Sequence, residues 1–372
     1  MLDNPSLYVH FPWCVRKCPY CDFNSHPLRD DLDPDYQQQY LQALKRDWQD
    51  QQSLDQEFSS VFFGGGTPSL FHPEHLHELL SILPVASTAE ITLETNPGTA
   101  EYTSFADIKA SGVNRISFGA QSFNDEHLEQ LGRIHKAQET YNAYEAATKA
   151  GFNNINLDIM WGLPNQTAAQ AMADLDAAIS LNPAHISWYQ LTIEAKTEYA
   201  KRPPILPAEP ELAAIEAQGL AKLASHGYLR YEVSAFAQPN QQCKHNLNYW
   251  RFGDYLGIGA GAHGKQTIQR DKQVIIQRQN KPNPPRLYQK DPTLSLVREV
   301  ANTELPLEFM MNVLRLTDGV ATELFTQQTG QPIETIENTW QQLVQLGLVA
   351  ENRIQATQLG LRYLDSILAR FT

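Results

Sequence analysis

The chain reads as an α/β protein: a parallel sheet curved into an incomplete barrel of six βα units, followed by a small, mainly α, winged-helix-like module. Three observations predict this. Short apolar runs alternate with helical stretches from residue 7 to residue 190. Unusual residues, glycines and carboxylates among them, fall where those runs end. Past residue 292 the pattern changes to closely spaced helices that close on a small hairpin signature.

The candidate strands are Leu7–His10, Val61–Gly64, Ile91–Glu94, Arg115–Gly119, Ile155–Met160 and His185–Gln190. Regular strand–helix–strand alternation implies parallel pairing through helical crossovers, and six units fall short of a full eight-unit barrel. Between the strands, Pro34–Gln51 reads as a helix with Asp33 as N-cap and Pro34 at its first position. Lys136–Ala150 stops at Gly151, a helix-ending residue, and Gln166–Leu181 and Glu209–His226 are the other clear helices. Pro239 to Gly264 reads as loop with short elements, and residues 281–292, with four prolines, as a connector. Helices follow near Leu305–Leu316, Ala321–Thr329 and Pro332–Leu346. Residues 347–349 and 353–357 form the hairpin candidate before a last helix at Gln358–Phe371. The organisation is thus 1–237 for the barrel, 238–292 for a loop-rich segment and connector, and 293–372 for the C-terminal module.

Composition narrows the classes. The net charge of −13 argues against non-specific nucleic-acid binding, which needs a basic footprint. Residues 318–372 carry three arginines against six acids, so a DNA-binding role for the last module is disfavoured too. No apolar run approaches the roughly 20 residues of a membrane span, and the first ten residues lack the features of a secretory signal. A cytoplasmic protein is expected, without a disulfide framework.

Three of the four cysteines lie in Cys14-Val-Arg-Lys-Cys18-Pro-Tyr-Cys21, directly after the first strand. Thiolates suit iron–sulfur clusters and zinc. A structural zinc needs four ligands, so that alternative requires His10, His26 or Cys243 as the fourth. Three thiolates on a [4Fe–4S] cubane leave one iron open to another ligand.

This spacing, followed by Gly64-Gly-Gly-Thr-Pro68, resembles the radical S-adenosylmethionine (SAM) superfamily. Other stretches are similar to the oxygen-independent coproporphyrinogen III oxidases and their relatives. They are Tyr8-Val-His-Phe-Pro-Trp-Cys14, Phe62–Ser69, Glu94-Thr-Asn-Pro-Gly98, Ser117–Ser122, Gly132-Arg-Ile-His135 and Asp158–Pro164. The resemblance implies a (β/α)6-type radical SAM barrel with a [4Fe–4S] cluster on Cys14, Cys18 and Cys21. It implies SAM as cofactor, with Gly65, Gly66 and Thr67 at its methionine end and Tyr8, Tyr20, Glu94, Gln121, Arg133 and Asp158 as further contacts. A carboxylate can accept from ribose hydroxyls or an amino group, and arginine can grip a carboxylate with two hydrogen bonds.

Within this group the chain resembles the HemW-type haem chaperones more than the oxidases, which decarboxylate two propionates. The oxidases carry a fourth cysteine two residues after the third, where this chain has Phe23. They also carry an N-terminal extension of several dozen residues, whereas Cys14 stands near the start here. The HemW-type motif His-Asn-x-x-Tyr-Trp is present as His245-Asn246-Leu-Asn-Tyr249-Trp250. Imidazole, thiolate and phenolate all serve as axial haem ligands. The haem-binding candidates are therefore His245, Asn246, Tyr249, Trp250 and Cys243, with His263 as a second histidine. The resemblance implies haem as cargo and acceptor haemoproteins as partners, respiratory membrane-bound ones included. Any link to the inner membrane would then be peripheral and through a protein partner. Cluster and SAM would gate haem transfer or complete a homodimer interface. Coproporphyrinogen oxidase activity is the rival expectation.

Overall fold

A computed structural model describes residues 4–28, 33–51, 57–98, 104–271 and 273–372. The strands in chain order are β1 (Ser6–Phe11), β2 (Trp13–Cys14), β3 (His26–Pro27), β4 (Phe58–Gly65), β5 (Val85–Thr95), β6 (Arg115–Gln121), β7 (Ile155–Trp161), β8 (His185–Gln190), β9 (Leu229–Glu232), β10 (Ala235–Ala237), β11 (Tyr255–Ile258), β12 (His263–Arg270), β13 (Gln273–Asn280) and β14 (Leu296–Glu299).

Twelve of them form one sheet in the order β14-β13-β12-β11-β1-β4-β5-β6-β7-β8-β10-β9. The six expected strands stand consecutively and pair in parallel. The sheet runs between two edges without closing, so the barrel is incomplete as expected. A seventh parallel strand, β11, lies within the stretch read as loop and pairs with the outer side of β1. The antiparallel β12–β13 hairpin and β14 extend that edge.

Period-two alternation explains how the strands serve two environments. Leu7, Val9, Phe63, Ile116, Phe118, Leu157, Ile159, Ile186 and Trp188 belong to the main apolar core, together with residues of the covering helices. The intervening positions are largely polar: Ser6, His10, Ser60, Glu94, Ser117, Asn156, Asp158, His185, Ser187. They fill the concave side. Close packing fixes the covering helices. At Gly219, in the helix Glu209–Ser225, a Cβ would lie 2.0 Å from the Trp188 ring. The helix Pro34–Asp50 starts as read from sequence, with Asp33 accepting from the Asp35 N–H and Pro34 in the first turn.

The proline-rich stretch after residue 280 is an anchor rather than a bare connector. It holds a short helix, Pro285–Lys290. Lys281 reaches the buried Asp47 carboxylate at 2.6 Å, and the Tyr288 hydroxyl donates to the same carboxylate at 2.8 Å.

The C-terminal module has helices at Leu305–Val313, Glu323–Thr329 and Glu334–Gln345. Their core includes Phe309, Phe325 and Trp340, and it takes in Phe252 and Ile276 from the preceding segment. The hairpin candidate is reduced to isolated bridges, Val349 with Ala356 and Val320 with Ile354. The last helix is broken into Gln358–Arg362, Leu364–Leu368 and a final 3-10 turn. Gly360 presses on the Leu348 carbonyl, where a Cβ would lie 1.9 Å away. The chain then turns at Tyr363 to bring Ile367 and Phe371 into the core.

Candidate functional site

The C-terminal ends of β4 to β8 open into a cavity of about 580 Å³ that Cys14, Cys18 and Cys21 also line. That size falls in the usual range of small-molecule sites. β1 delivers the cysteine loop to it. The two-residue strands β2 and β3 hold the loop's base, with Cys14 opposite Pro27. The Lys17 ammonium donates to the Phe23 and Ser25 carbonyls at 2.9 and 3.1 Å.

Cys14 is buried, while Cys18 and Cys21 are partly exposed. Burial, reinforced by the Cys21 thiol, pushes the Cys14 thiol up to about 11. Only a cationic partner would hold it as thiolate at neutral pH. Among the described residues no three histidine, cysteine or acidic side chains converge on a point suited to a single metal ion. A cubane takes one thiolate per iron, so its ligands surround a cluster instead of meeting at one atom. The donor set therefore fits a cluster better than a zinc ion. The fourth zinc ligands considered from sequence are engaged elsewhere. Cys243 donates to Glu90 at 3.3 Å, and His26 pairs with the Asn24 side-chain oxygen at 3.1 Å. His10 donates through Nε2 to the Asn24 carbonyl at 2.9 Å and pairs with the Tyr8 hydroxyl at 3.0 Å.

The glycine turn is shaped first by the cysteine loop. Gly65 has φ +116°, and a Cβ on Gly66 would lie 2.2 Å from the Trp13 carbonyl oxygen. All three amides from 65 to 67 are used. Gly65 N–H donates to Glu94 at 3.1 Å, Gly66 N–H to Phe11 O at 2.7 Å and Thr67 N–H to Trp13 O at 2.7 Å. A ligand's donors would meet carbonyl oxygens here rather than amides, which suits an amino group.

Of the nine SAM candidates, Tyr20, Gly65, Gly66, Thr67, Glu94, Gln121, Arg133 and Asp158 line this cavity. Tyr8 does not. It lines a neighbouring cleft that shares Gly65, Glu94, Asp22 and Phe23 with the main cavity. Gln121 has φ +66° and accepts from the Tyr189 hydroxyl at 2.7 Å. Arg133 donates to Gly119 O at 2.8 Å and to Asn96, and its guanidinium lies 3.6 Å from Cys18 Sγ. Glu94 and Asp158 are both half-buried, their carboxyls facing the cavity. Burial, with Asp158 as a second negative charge, raises the Glu94 carboxyl to about 8. Burial also raises Asp158, against hydrogen bonds from Asn156 at 2.9 Å and Ser117 at 3.1 Å.

Sequence reasoning missed Asn96, Ser117, Ser187, Tyr189 and Glu232, which line the same cavity. Asn96 links the parts: it donates to Thr67 Oγ1 at 2.9 Å and accepts from Arg133. It stands in the Glu94–Gly98 stretch, and Tyr189 ends a strand, so position was the available signal.

The helix Lys244–Trp250 sits within the concave side. Glu90 accepts from the Lys244 N–H at 2.8 Å at its start. Of the haem candidates, Asn246 and Trp250 line the main cavity, and Tyr249 and His263 the neighbouring cleft of about 400 Å³. His245 and Cys243 are buried at the helix base and line neither. Burial, with Arg115 as a further cause, lowers His245 to about 3. Trp250 is covered by the Arg315 guanidinium, 4.4 Å from its ring, and Arg315 pairs with Glu232 at 2.8 Å. The C-terminal module thereby closes one side of the cavity.

Residues 8–178 match the model of the Radical SAM superfamily, and residues 300–363 that of the HemN C-terminal domain. The chain is 45% identical to a protein of Escherichia coli named heme chaperone HemW, over 98% of this chain and 97% of that one. A Haemophilus influenzae protein of the same name is also 45% identical, with 98% and 97% covered. Its Bacillus subtilis namesake is 32% identical, with 95% and 96% covered. In structure the chain is similar to coproporphyrinogen III oxidase (HemN) of Escherichia coli, with a TM-score of 0.80, 22% identity, and 99% and 90% of the two chains covered. That is a likeness of fold. Cysteine loop, glycine turn, cavity and full-length identity agree: this chain belongs to the HemW family of the radical SAM superfamily.

Proposed function

We propose that this protein is a haem chaperone: it binds haem and passes it to acceptor haemoproteins, on a scaffold that carries a [4Fe–4S] cluster and SAM. The observation that carries the reading is the 45% identity to a protein named heme chaperone HemW over nearly the whole of both chains. Phe23 supports it. Where the oxidases have a fourth cysteine, this chain has an apolar ring 60% exposed on the loop that follows Cys21.

Cys14, Cys18 and Cys21 would hold the cluster, which supplies one electron to the SAM sulfonium when both are bound. Tyr20, Gly65, Gly66, Thr67, Glu94, Gln121, Arg133 and Asp158 would bind SAM. A protonated Glu94 can donate a hydrogen bond as well as accept one. Arg133, fixed by Asn96 and the Gly119 carbonyl, directs positive charge toward Cys18 and toward a carboxylate in the cavity. Among the described residues no helix is long and apolar enough to cross a membrane. The net charge of −13 disfavours anionic lipid heads, so delivery to membrane-bound acceptors would use contacts between proteins.

The test is haem transfer. Protein loaded with haem is mixed with an apo-haemoprotein, apomyoglobin serving as the probe, and the Soret bands are followed. Movement of haem faster than from a non-specific carrier such as serum albumin supports the reading. Failure to bind haem overturns it.

A further inference from the structure

We propose that His263, at the mouth of the cleft behind the cysteine loop, is the axial ligand to haem, and that Phe23 and Tyr249 pack against the porphyrin. The proposal rests on the haem-chaperone reading and gives it an address.

The cleft of about 400 Å³ adjoins the main cavity, with Asp22, Phe23, Gly65 and Glu94 common to both. Its histidines are His10 and His263. Both ring nitrogens of His10 are hydrogen-bonded and the ring is 5% exposed, so it has no lone pair to offer. His263 is the opposite case. Its ring is exposed. Asn280 stands opposite it in the β12–β13 hairpin, placed to hold one ring nitrogen. Metal-bound histidines are commonly held in this way, with one nitrogen on a protein partner and the other on the metal.

Backbone geometry fixes where His263 stands. A Cβ on Gly257 would lie 2.1 Å from the His263 carbonyl oxygen, so the strand that presents His263 packs directly on β11. Gly261, at φ +78°, makes the turn before it beside Asn24 and Asn283.

The other candidates in the helix Lys244–Trp250 fare differently. His245 is sandwiched between aromatic rings, with Phe62 stacked at 5.0 Å and Tyr249 at 5.1 Å, and its Nδ1 pairs with Ser60 at 3.2 Å. Iron could reach it only if that packing were dismantled. Tyr249 is stacked on Tyr255 at 4.1 Å, which fixes its ring as a surface along the cleft. Phe23 is a large apolar side chain left 60% exposed at the rim of the cleft. A flat apolar macrocycle would cover it.

The test compares haem titrations, followed by Soret absorbance and by electron paramagnetic resonance, of the wild-type chain, His263→Ala and His245→Gln. Glutamine keeps a hydrogen-bonding group for Ser60, and circular dichroism checks that each variant is folded. The expected result is a shifted Soret band and affinity weaker by about tenfold or more for His263→Ala, the effect of losing at least ~1.4 kcal/mol of ligation. Added imidazole should restore the wild-type spectrum, and His245→Gln should match the wild type. If the wild type binds haem and His263→Ala binds it with the same spectrum and affinity, the assignment of His263 is overturned while the chaperone reading stands. If the wild type binds no haem, both fall.

Discussion

Glu94 accepts a hydrogen bond from the Gly65 N–H at 3.1 Å while its own carboxyl is raised to about 8. The pair ties the glycine turn of β4 to the carboxyl end of β5 at the rim of the cavity. Burial dominates the shift and the nearby Asp158 adds to it.

A pH dependence follows. An acid whose folded pKa lies above its unfolded value stabilises the fold fully below the unfolded pKa, and that contribution is lost as pH rises through the folded pKa. For Glu94 the loss runs from about 4.5 to about 8. Replacing Glu94 with Gln should leave the cofactor-free chain as stable as wild type near pH 5 and more stable near pH 8.5. Melting temperatures across that range check this. A difference independent of pH would mean that Glu94 is ionised throughout.

The cysteine loop makes a second prediction. Cys14→Ala, Cys18→Ala and Cys21→Ala should each lower iron and sulfide to background after anaerobic reconstitution, with loss of visible absorbance. Cys243→Ala should retain both, because its thiol is spent on Glu90. Retention of a full cluster in any of the first three would break the ligand assignment.

At Gly66 the constraint is steric. A Cβ there meets the Trp13 carbonyl at 2.2 Å, and backbone yields less readily than a flexible side chain. Gly66→Ala should cost about 1–3 kcal/mol, the usual range for overpacking. It should also lower cluster retention by displacing the loop that begins at Trp13. Thermal unfolding and iron content are the two readouts.

The buried pair Asp47–Lys281 supplies a fourth. Both side chains are 0% exposed, and the pair joins the helix Pro34–Asp50 to the segment after β13. Lys281→Met alone should destabilise by roughly 3–5 kcal/mol, since it strands a buried carboxylate. Asp47→Asn combined with Lys281→Met should recover part of that loss, because the amide is neutral and its oxygen can still accept from Tyr288. Denaturant unfolding of the single and double variants measures both.

Much of this was legible in the sequence, for identifiable reasons. The six consecutive parallel strands show themselves because each alternates core residues such as Leu157 and Ile159 with polar ones such as Asn156 and Asp158. The cysteine loop declares itself by spacing. Strand β11 did not, because four residues inside a glycine-rich stretch carry no period, and its partner β1 lies some 250 positions away. The break at Tyr363 was hidden because the apolar period continues through it, and only the contact of Gly360 with Leu348 forces the turn. The motif at 245–250 showed that aromatic and imidazole groups gather there. It did not show that His245 packs inward on Phe62 while Trp250 faces the cavity, since a motif fixes residue types and not the side on which a helix docks.

The most direct test of the chaperone reading runs haem and coproporphyrinogen III side by side on one anaerobically reconstituted sample with SAM present. A haem chaperone gives stoichiometric haem binding with no decarboxylation of the porphyrinogen. Decarboxylation at an enzyme-like rate, with haem bound weakly or not at all, would contradict that reading and put this chain with the oxidases despite Phe23.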